Sequence, residues 1–366
     1  MNKTINNSKN ILSSQLSRRS VIIAGLAGIA LATTGLSENV SRVAATQIAQ
    51  PPAGKTLLVR SDIHPSVPVT WLSNGHQIAS GGKTSSIDIW DATTGARSSS
   101  INYSSINNSP FAVSPDGKHL VTANNSTASG TTPPPIATVW NTATGQRVLN
   151  FKNPPVVNPL AAALDIAWSP DGKYVAAVYL NVVYVWEAST GKILHTLNPN
   201  GNISRVAWSH TSRYIVAGHD ALGSGIINPQ IYTWNSDTGA LLYKKNGWAT
   251  AISISPDDHF FAHADNNTVK IRSLQSGAIH TTLPAVVNNQ VVAVGWSPDG
   301  TRLAYSGGST QSVMFDGYVN VSVLATGKTL HYTGQKMAVM HLSWSPDSTR
   351  IASVSLDQVV NVWQAR

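Results

Sequence analysis

One unit, written seven times, limits what this chain can fold into more than any other feature of it. Ser-Pro-Asp recurs at Ser114, Ser169, Ser255, Ser297 and Ser345, and residues 72–75 and 209–212 hold the same slot in altered form. Immediately before the slot stand Trp71, Val113, Trp168, Trp208, Ile254, Trp296 and Trp344. About twenty residues later comes a second landmark, followed five residues on by glycine: Trp90, Trp140, Trp186, Trp234, Arg272 and Ser322, with Trp363 as the seventh. Ten of the eleven tryptophans therefore sit at two repeated positions. A repeat of this length is one supersecondary unit that must bury its faces against its neighbours.

Each unit reads as four short strands. In the third unit, alternating apolar residues (Ile166-Ala167-Trp168) lead into Pro170-Asp171-Gly172. There proline presets φ and glycine takes the left-handed position. Strands are expected over residues 174–179, 182–186 and 193–197, with a Thr-Gly turn before the last. Sheets this small are stable when stacked radially.

From residue 54 to 366 the chain resembles the WD-repeat β-propeller family. The resemblance rests on Trp90-Asp91, Trp140-Asn141, Trp186-Glu187, Trp234-Asn235 and Trp363-Gln364 at the ends of the third strands. Only Trp90-Asp91 keeps the family's Trp-Asp pair, and the Gly-His dipeptide that opens its repeats is missing from every unit. Packing is therefore expected to carry more of the stability than the family's buried His–Asp–Ser/Thr–Trp network. The expected fold is all-β, a single seven-bladed β-propeller of four-stranded blades. The seventh unit has three strands before Arg366, and Gly54-Lys55-Thr56-Leu57 repeats Gly327-Lys328-Thr329-Leu330. Residues 55–60 are thus expected to supply the outer strand of the last blade and close the ring, which leaves no open flank.

Residues 1–45 read as an export signal and linker, and residues 46–366 as the propeller. Arg18-Arg19 precede an uncharged stretch at residues 21–36, and Val43-Ala44-Ala45 offers small residues for cleavage. That stretch is shorter than the ~20 residues of a spanning helix, and the order basic, apolar, small is that of a secretory signal. The paired arginines resemble the twin-arginine (Tat) type, so export from a prokaryotic cytoplasm is expected. A membrane is met only if this segment stays uncleaved as an anchor. Five of the cations behind the net charge of +8 lie in this leader. No run of Lys or Arg exceeds two, which argues against nucleic acid. With no cysteine in the chain, disulfides, thiolate metal sites and cysteine nucleophiles are excluded.

The chemical-looking motifs reduce to structure. Residues 49–56 formally fit a phosphate loop, but Pro51-Pro52 precedes it and a β-rich Leu57-Leu58-Val59 follows, where a working loop needs a strand before and a helix after. The five Ser-Pro-Asp aspartates fall one per blade and cannot converge on a metal. His259 and His263 lie on one face of a strand without the helical spacing of a zinc site. No cofactor, metal or catalytic residue is expected. The expected function is a non-catalytic scaffold for a protein or peptide partner. The alternative is an enzyme or small-ligand receptor using the central channel or top rim. Units two, four and six carry extra residues at 124–136, 219–230 and 307–318, all on the face of the inter-blade connections, the top. The partner site is expected there, centred on Trp248, Phe315 and Tyr318 with Tyr179 and His219 nearby, because aromatics free of core duty anchor interfaces.

Overall fold

The structure, a computed structural model, describes residues 54–365 except 62, 65–66, 83–84, 104–108, 124–134, 155–162, 200, 222–227, 285–289 and 309–316. Among the described residues, twenty-eight strands form seven antiparallel four-stranded sheets, and no helix occurs. The sheets are the blades of a seven-bladed β-propeller, and the innermost strands of neighbouring blades touch around a central channel. The third blade shows how closely the repeat fixes local structure: its last three strands are Tyr174–Tyr179, Val182–Glu187 and Ile193–Leu197.

The buried apolar residues fall into seven clusters, each spanning one junction between adjacent blades. One joins Val121, Val139 and Phe151 of blade two to Val175 and Trp186 of blade three. Another joins Val354 and Val362 of blade seven to Trp71 and Trp90 of blade one. A blade therefore has no core of its own, and the ring is the cooperative unit. Trp90, Trp186 and Trp363 are fully buried. Part of the hydrogen-bonding that the missing Gly-His put in question survives. The indole Nε1–H of Trp90 donates to Ser80 Oγ (3.0 Å), that of Trp140 to Thr122 Oγ1 (2.9 Å) and that of Trp363 to Ser353 Oγ (2.7 Å).

The Ser-Pro-Asp turns, on the bottom face, are self-contained. In blade three, Asp171 Oδ1 accepts from Ser169 Oγ (2.6 Å) and from the Lys173 amide (3.0 Å), while Ser169 Oγ accepts from the Tyr174 amide (2.9 Å). The same bonds recur at Asp116, Asp257, Asp299 and Asp347. At Asp171 burial raises the carboxyl pKa, but the Ser169 and Lys173 bonds outweigh it and the net shift is downward.

The ring closes as the repeat demands. Thr56–Arg60 pairs antiparallel with Val359–Gln364, bringing Thr56 opposite Trp363 and Arg60 opposite Val360. The insert of blade six is shorter than the sequence reading placed it. The second and third strands there run Arg302–Gly308 and Gly317–Val323, and Gly307 pairs with Tyr318. The hairpin reaches this far because its backbone packs tightly at two glycines. A Cβ on Gly307 would lie 1.9 Å from the Gln290 carbonyl, and one on Gly317 equally close to that of Met337.

Candidate functional site

The top of the junction between blades four and five brings together several polar and aromatic groups. The link from the outer strand of blade four (Leu241–Asn246) to the inner strand of blade five (Ile252–Ile254) passes through Gly247 and Trp248. Gly247 has φ +149°, a backbone conformation that strains any other residue, while a Cβ there would make ordinary contacts with Arg272, His263 and Asp265. The Trp248 amide donates to Asp265 Oδ1 (3.4 Å), and its carbonyl accepts from His263 Nδ1 (2.7 Å). His263 Nε2 in turn accepts from Arg272 Nε (2.9 Å), which fixes the neutral tautomer protonated at Nδ1. Burial lowers the His263 pKa to about 4.

Arg272 takes the place of the tryptophan found in five other blades, and His263 the place of Ser80, Thr122 and Ser353. The guanidinium also donates to the carbonyls of Gly277 (2.9 Å) and Asn246 (2.8 Å). Asp265 pairs with Lys270 (2.5 Å). Blade five thus holds by buried polar bonds what five other blades hold by an indole.

Above this lattice the Trp248 ring lies half-buried, 5.8 Å from that of His219. Both His219 ring nitrogens are buried without a hydrogen-bond partner. Burial lowers its pKa; Asp220 opposes the shift and Arg205 adds to it. An unpaired buried donor or acceptor costs about 1–3 kcal/mol.

The other residues expected at this surface lie elsewhere. Tyr179 ends the second strand of blade three and is 2% exposed, beside Tyr184. Tyr318 is in a strand of blade six rather than a loop, 6% exposed, with its hydroxyl buried and unpartnered. Phe315 lies outside the described residues. The structure brings Trp248 and His219 together and does not add the two tyrosines to them.

Sequence reasoning missed a ring of equivalent positions on the innermost strands. One residue before the alternating triplet stand Pro68, Pro110, Asp165, Arg205, Ala251, Ala293 and His341. Asp165 accepts from the amides of Ile166 and Val206, both at 2.9 Å. Arg205 donates to the carbonyls of Thr250 (2.8 Å) and Ser204 (3.1 Å) and pairs with Asp220 (3.3 Å). Burial raises the Asp165 carboxyl despite Arg205 and the two amides. Burial, with Arg205 adding, lowers His341 to about 4. Aligning the units one residue upstream of the triplet would have exposed these three titratable groups.

The family described as WD domain, G-beta repeat matches residues 191–222 and 327–364. Over 239 residues, 62% of this chain, it is 27% identical to Autophagy-related protein 16 of Arabidopsis thaliana, covering 42% of that protein. Over 232 residues, also 62% of the chain, it is 23% identical to WD repeat-containing protein 1 of Mus musculus, covering 29% of it. These matches support a WD-repeat propeller. A further relative, 24% identical over 59% of the chain and 36% of its own length, is Actin-interacting protein 1 of Drosophila melanogaster. The chain spans less than half the length of these relatives.

Proposed function

We propose that this protein is an exported, non-catalytic scaffold that binds a protein or peptide partner on the top face of the propeller, around Trp248 and His219. The observation that carries this reading is the half-buried Trp248 ring set against an imidazole with two unpartnered nitrogens. Tryptophan is among the residues that dominate interface energetics, and a partner group that bonds His219 would recover a cost the free protein bears. The channel trio supports the alternative, a small-ligand site, less well, because Asp165 and Arg205 already spend their bonds on backbone groups and Asp220.

The test is affinity capture from an extracytoplasmic extract, followed by titration of the purified partner against wild type and Trp248→Ala. Affinity lost tenfold or more with an unchanged melting temperature is expected. Equal affinity would refute the site. For the export reading, replacing Arg18 and Arg19 with lysine is expected to leave the protein folded in the cytoplasm. Undiminished export would refute the twin-arginine route.

A further inference from the structure

On the bottom face, three junctions place a planar group from one blade over a tryptophan of the next. Tyr174 stacks on Trp208 with ring centroids 6.1 Å apart, Arg302 lies 4.7 Å over Trp344, and Arg350 lies 4.5 Å over Trp71. The covering residue opens a second strand in every case, and the tryptophan closes the first strand of the following blade. At the junction of blades five and six the equivalent pair is Phe260 and Trp296. There the series breaks. Phe260 turns onto His280, 4.7 Å away, and a cavity of about 390 Å³ opens between Phe260, Trp296, Leu324, Asp257, Asp299 and Gly300.

A second series runs through the same positions. The carbonyl at the fourth residue of the bottom turn receives a side-chain hydrogen bond in several blades. Thr142 Oγ1 donates to Gly117 (2.8 Å) and Ser236 Oγ to Ser212 (2.6 Å), each from its own blade. In blades seven and one the donor is instead the arginine of the preceding blade, Arg302 Nη2 to Ser348 (2.5 Å) and Arg350 Nη2 to Gly75 (2.7 Å). In blade six the carbonyl belongs to Gly300. Leu324 stands where Thr142 and Ser236 stand, and Phe260 stands where the two arginines stand, so neither donor exists. The Trp296 Nε1–H beside them is buried without a partner.

We propose that this cavity is a docking slot for an arginine side chain of a protein partner. The incoming guanidinium lies over Trp296 and donates to the Gly300 carbonyl, as Arg302 and Arg350 do at the next two junctions. Charge complementarity selects arginine over an aromatic ring. Asp257 and Asp299 border the slot, and although burial raises both carboxyls, the bonds from their own turns hold them below the ordinary carboxylate range. Each carboxylate also has one cation beside it. His259 Nδ1 meets Asp257 Oδ2 at 3.1 Å and Arg302 meets Asp299 Oδ2 at 3.4 Å, and both Oδ1 atoms accept from their own turns, so the two carboxylates act on an incoming guanidinium through their charge rather than as hydrogen-bond acceptors. The volume is at the lower end of the roughly 300–1,000 Å³ of ligand pockets, fit for one side chain. A guanidinium's planar fork can stack and donate at once, which an ammonium cannot do.

The test titrates the full chain with the capped pentapeptide Ala-Ala-Arg-Ala-Ala and with versions carrying citrulline, lysine or tyrosine at the centre. The readout is the NMR signal of the Trp296 indole N–H, assigned by its loss in Trp296→Phe. A saturable shift with the arginine peptide is expected, at least tenfold weaker with the other three. Phe260→Arg is the second arm: its own guanidinium should fill the slot, so the melting temperature holds or rises and peptide binding disappears. No saturable shift at millimolar arginine peptide, equal binding of the citrulline peptide, tighter binding of the tyrosine peptide, or undiminished binding to a folded Phe260→Arg would each overturn the assignment.

Discussion

Deleting residues 54–61 should open the ring. The Gly54 amide donates to the Gln364 carbonyl (2.6 Å), and the Gln364 amide donates to that of Lys55 (2.8 Å); the ladder then continues to Arg60 opposite Val360. Arg60 also ties this strand to blade one. It donates to the Gly95 carbonyl (2.8 Å), pairs with Asp88 (3.3 Å) and lies 5.3 Å over Trp90. Leu58 packs into the cluster between blades seven and one. At ~1 kcal/mol net per hydrogen bond, with part of a leucine and one charged bond added, the loss comes to about 5 kcal/mol. That is a large share of the 5–15 kcal/mol that typically separates folded from unfolded. With an unfolding entropy of ~2.1 cal/mol/K per residue over roughly 300 residues, it corresponds to a fall of about 8 °C in melting temperature. The assay is scanning calorimetry of the intact chain, the 54–61 deletion and a 2–45 deletion, with a synthetic 54–61 peptide added back to the first deletion. The expected order is intact equal to the 2–45 deletion, the 54–61 deletion lower, and partial recovery with peptide. If removal of residues 54–61 moves the transition by less than 2 °C, the strand does not hold the ring together.

Arg272→Ala should cost about 3 kcal/mol or more, measured by urea unfolding, because the carbonyls of Gly277 and Asn246 and the His263 Nε2 all lose a buried donor. The double variant His263→Ser with Arg272→Trp, which writes the pattern of blades one and seven into blade five, should recover most of that loss. Acid should destabilise the fold between pH 6.5 and 4. His263 and His341 have folded pKa values of about 4, below the ordinary 6.5, so over that window the unfolded chain takes up protons that the folded chain refuses. Each can contribute up to ~1.4 kcal/mol per pH unit, and none above pH 6.5. His341→Ala, which copies Ala251 and Ala293 at the same ring position, should lower the slope of stability against pH between 6.5 and 4, read from urea midpoints.

What the sequence made legible, and what it did not, divides by cause. The blades and the closing strand were readable because turn residues and tryptophans recur at fixed offsets, and each recurrence is a local requirement: a left-handed glycine, an aspartate that bonds its own turn, an indole at a blade junction. Trp248 was readable by elimination, as the one tryptophan outside the register. His219 was placed only by its loop, and the cause that singles it out, two buried nitrogens without partners, is a property of packing. Tyr318 went to a loop because strand ends in blade six depend on the close approaches of Gly307 and Gly317 to neighbouring backbone. Asp165, Arg205 and His341 share one offset in the repeat and were legible by alignment, but that they influence one another is visible only in the ring, because each belongs to a different unit.

The two faces of the disc follow different rules. On the bottom, each Ser-Pro-Asp turn must reproduce one set of hydrogen bonds, so its residues have little freedom. Variation there includes how the next blade's tryptophan is covered, by Tyr174 at Trp208 and by arginine at Trp344 and Trp71 but by neither at Trp296. On the top, no such turn is imposed, and the connection through Gly247 and Trp248 could take up His263, Asp265 and Arg272 as its supports. Blade five is where both departures meet. Arg272 removes the indole that other blades bury and supplies the polar lattice beneath Trp248 on the top. Phe260, opening the second strand of the same blade, leaves the gap over Trp296 on the bottom. Blade five therefore carries the residues that support both proposed contact surfaces, and its irregularities can persist because stability resides in junctions shared around the whole ring.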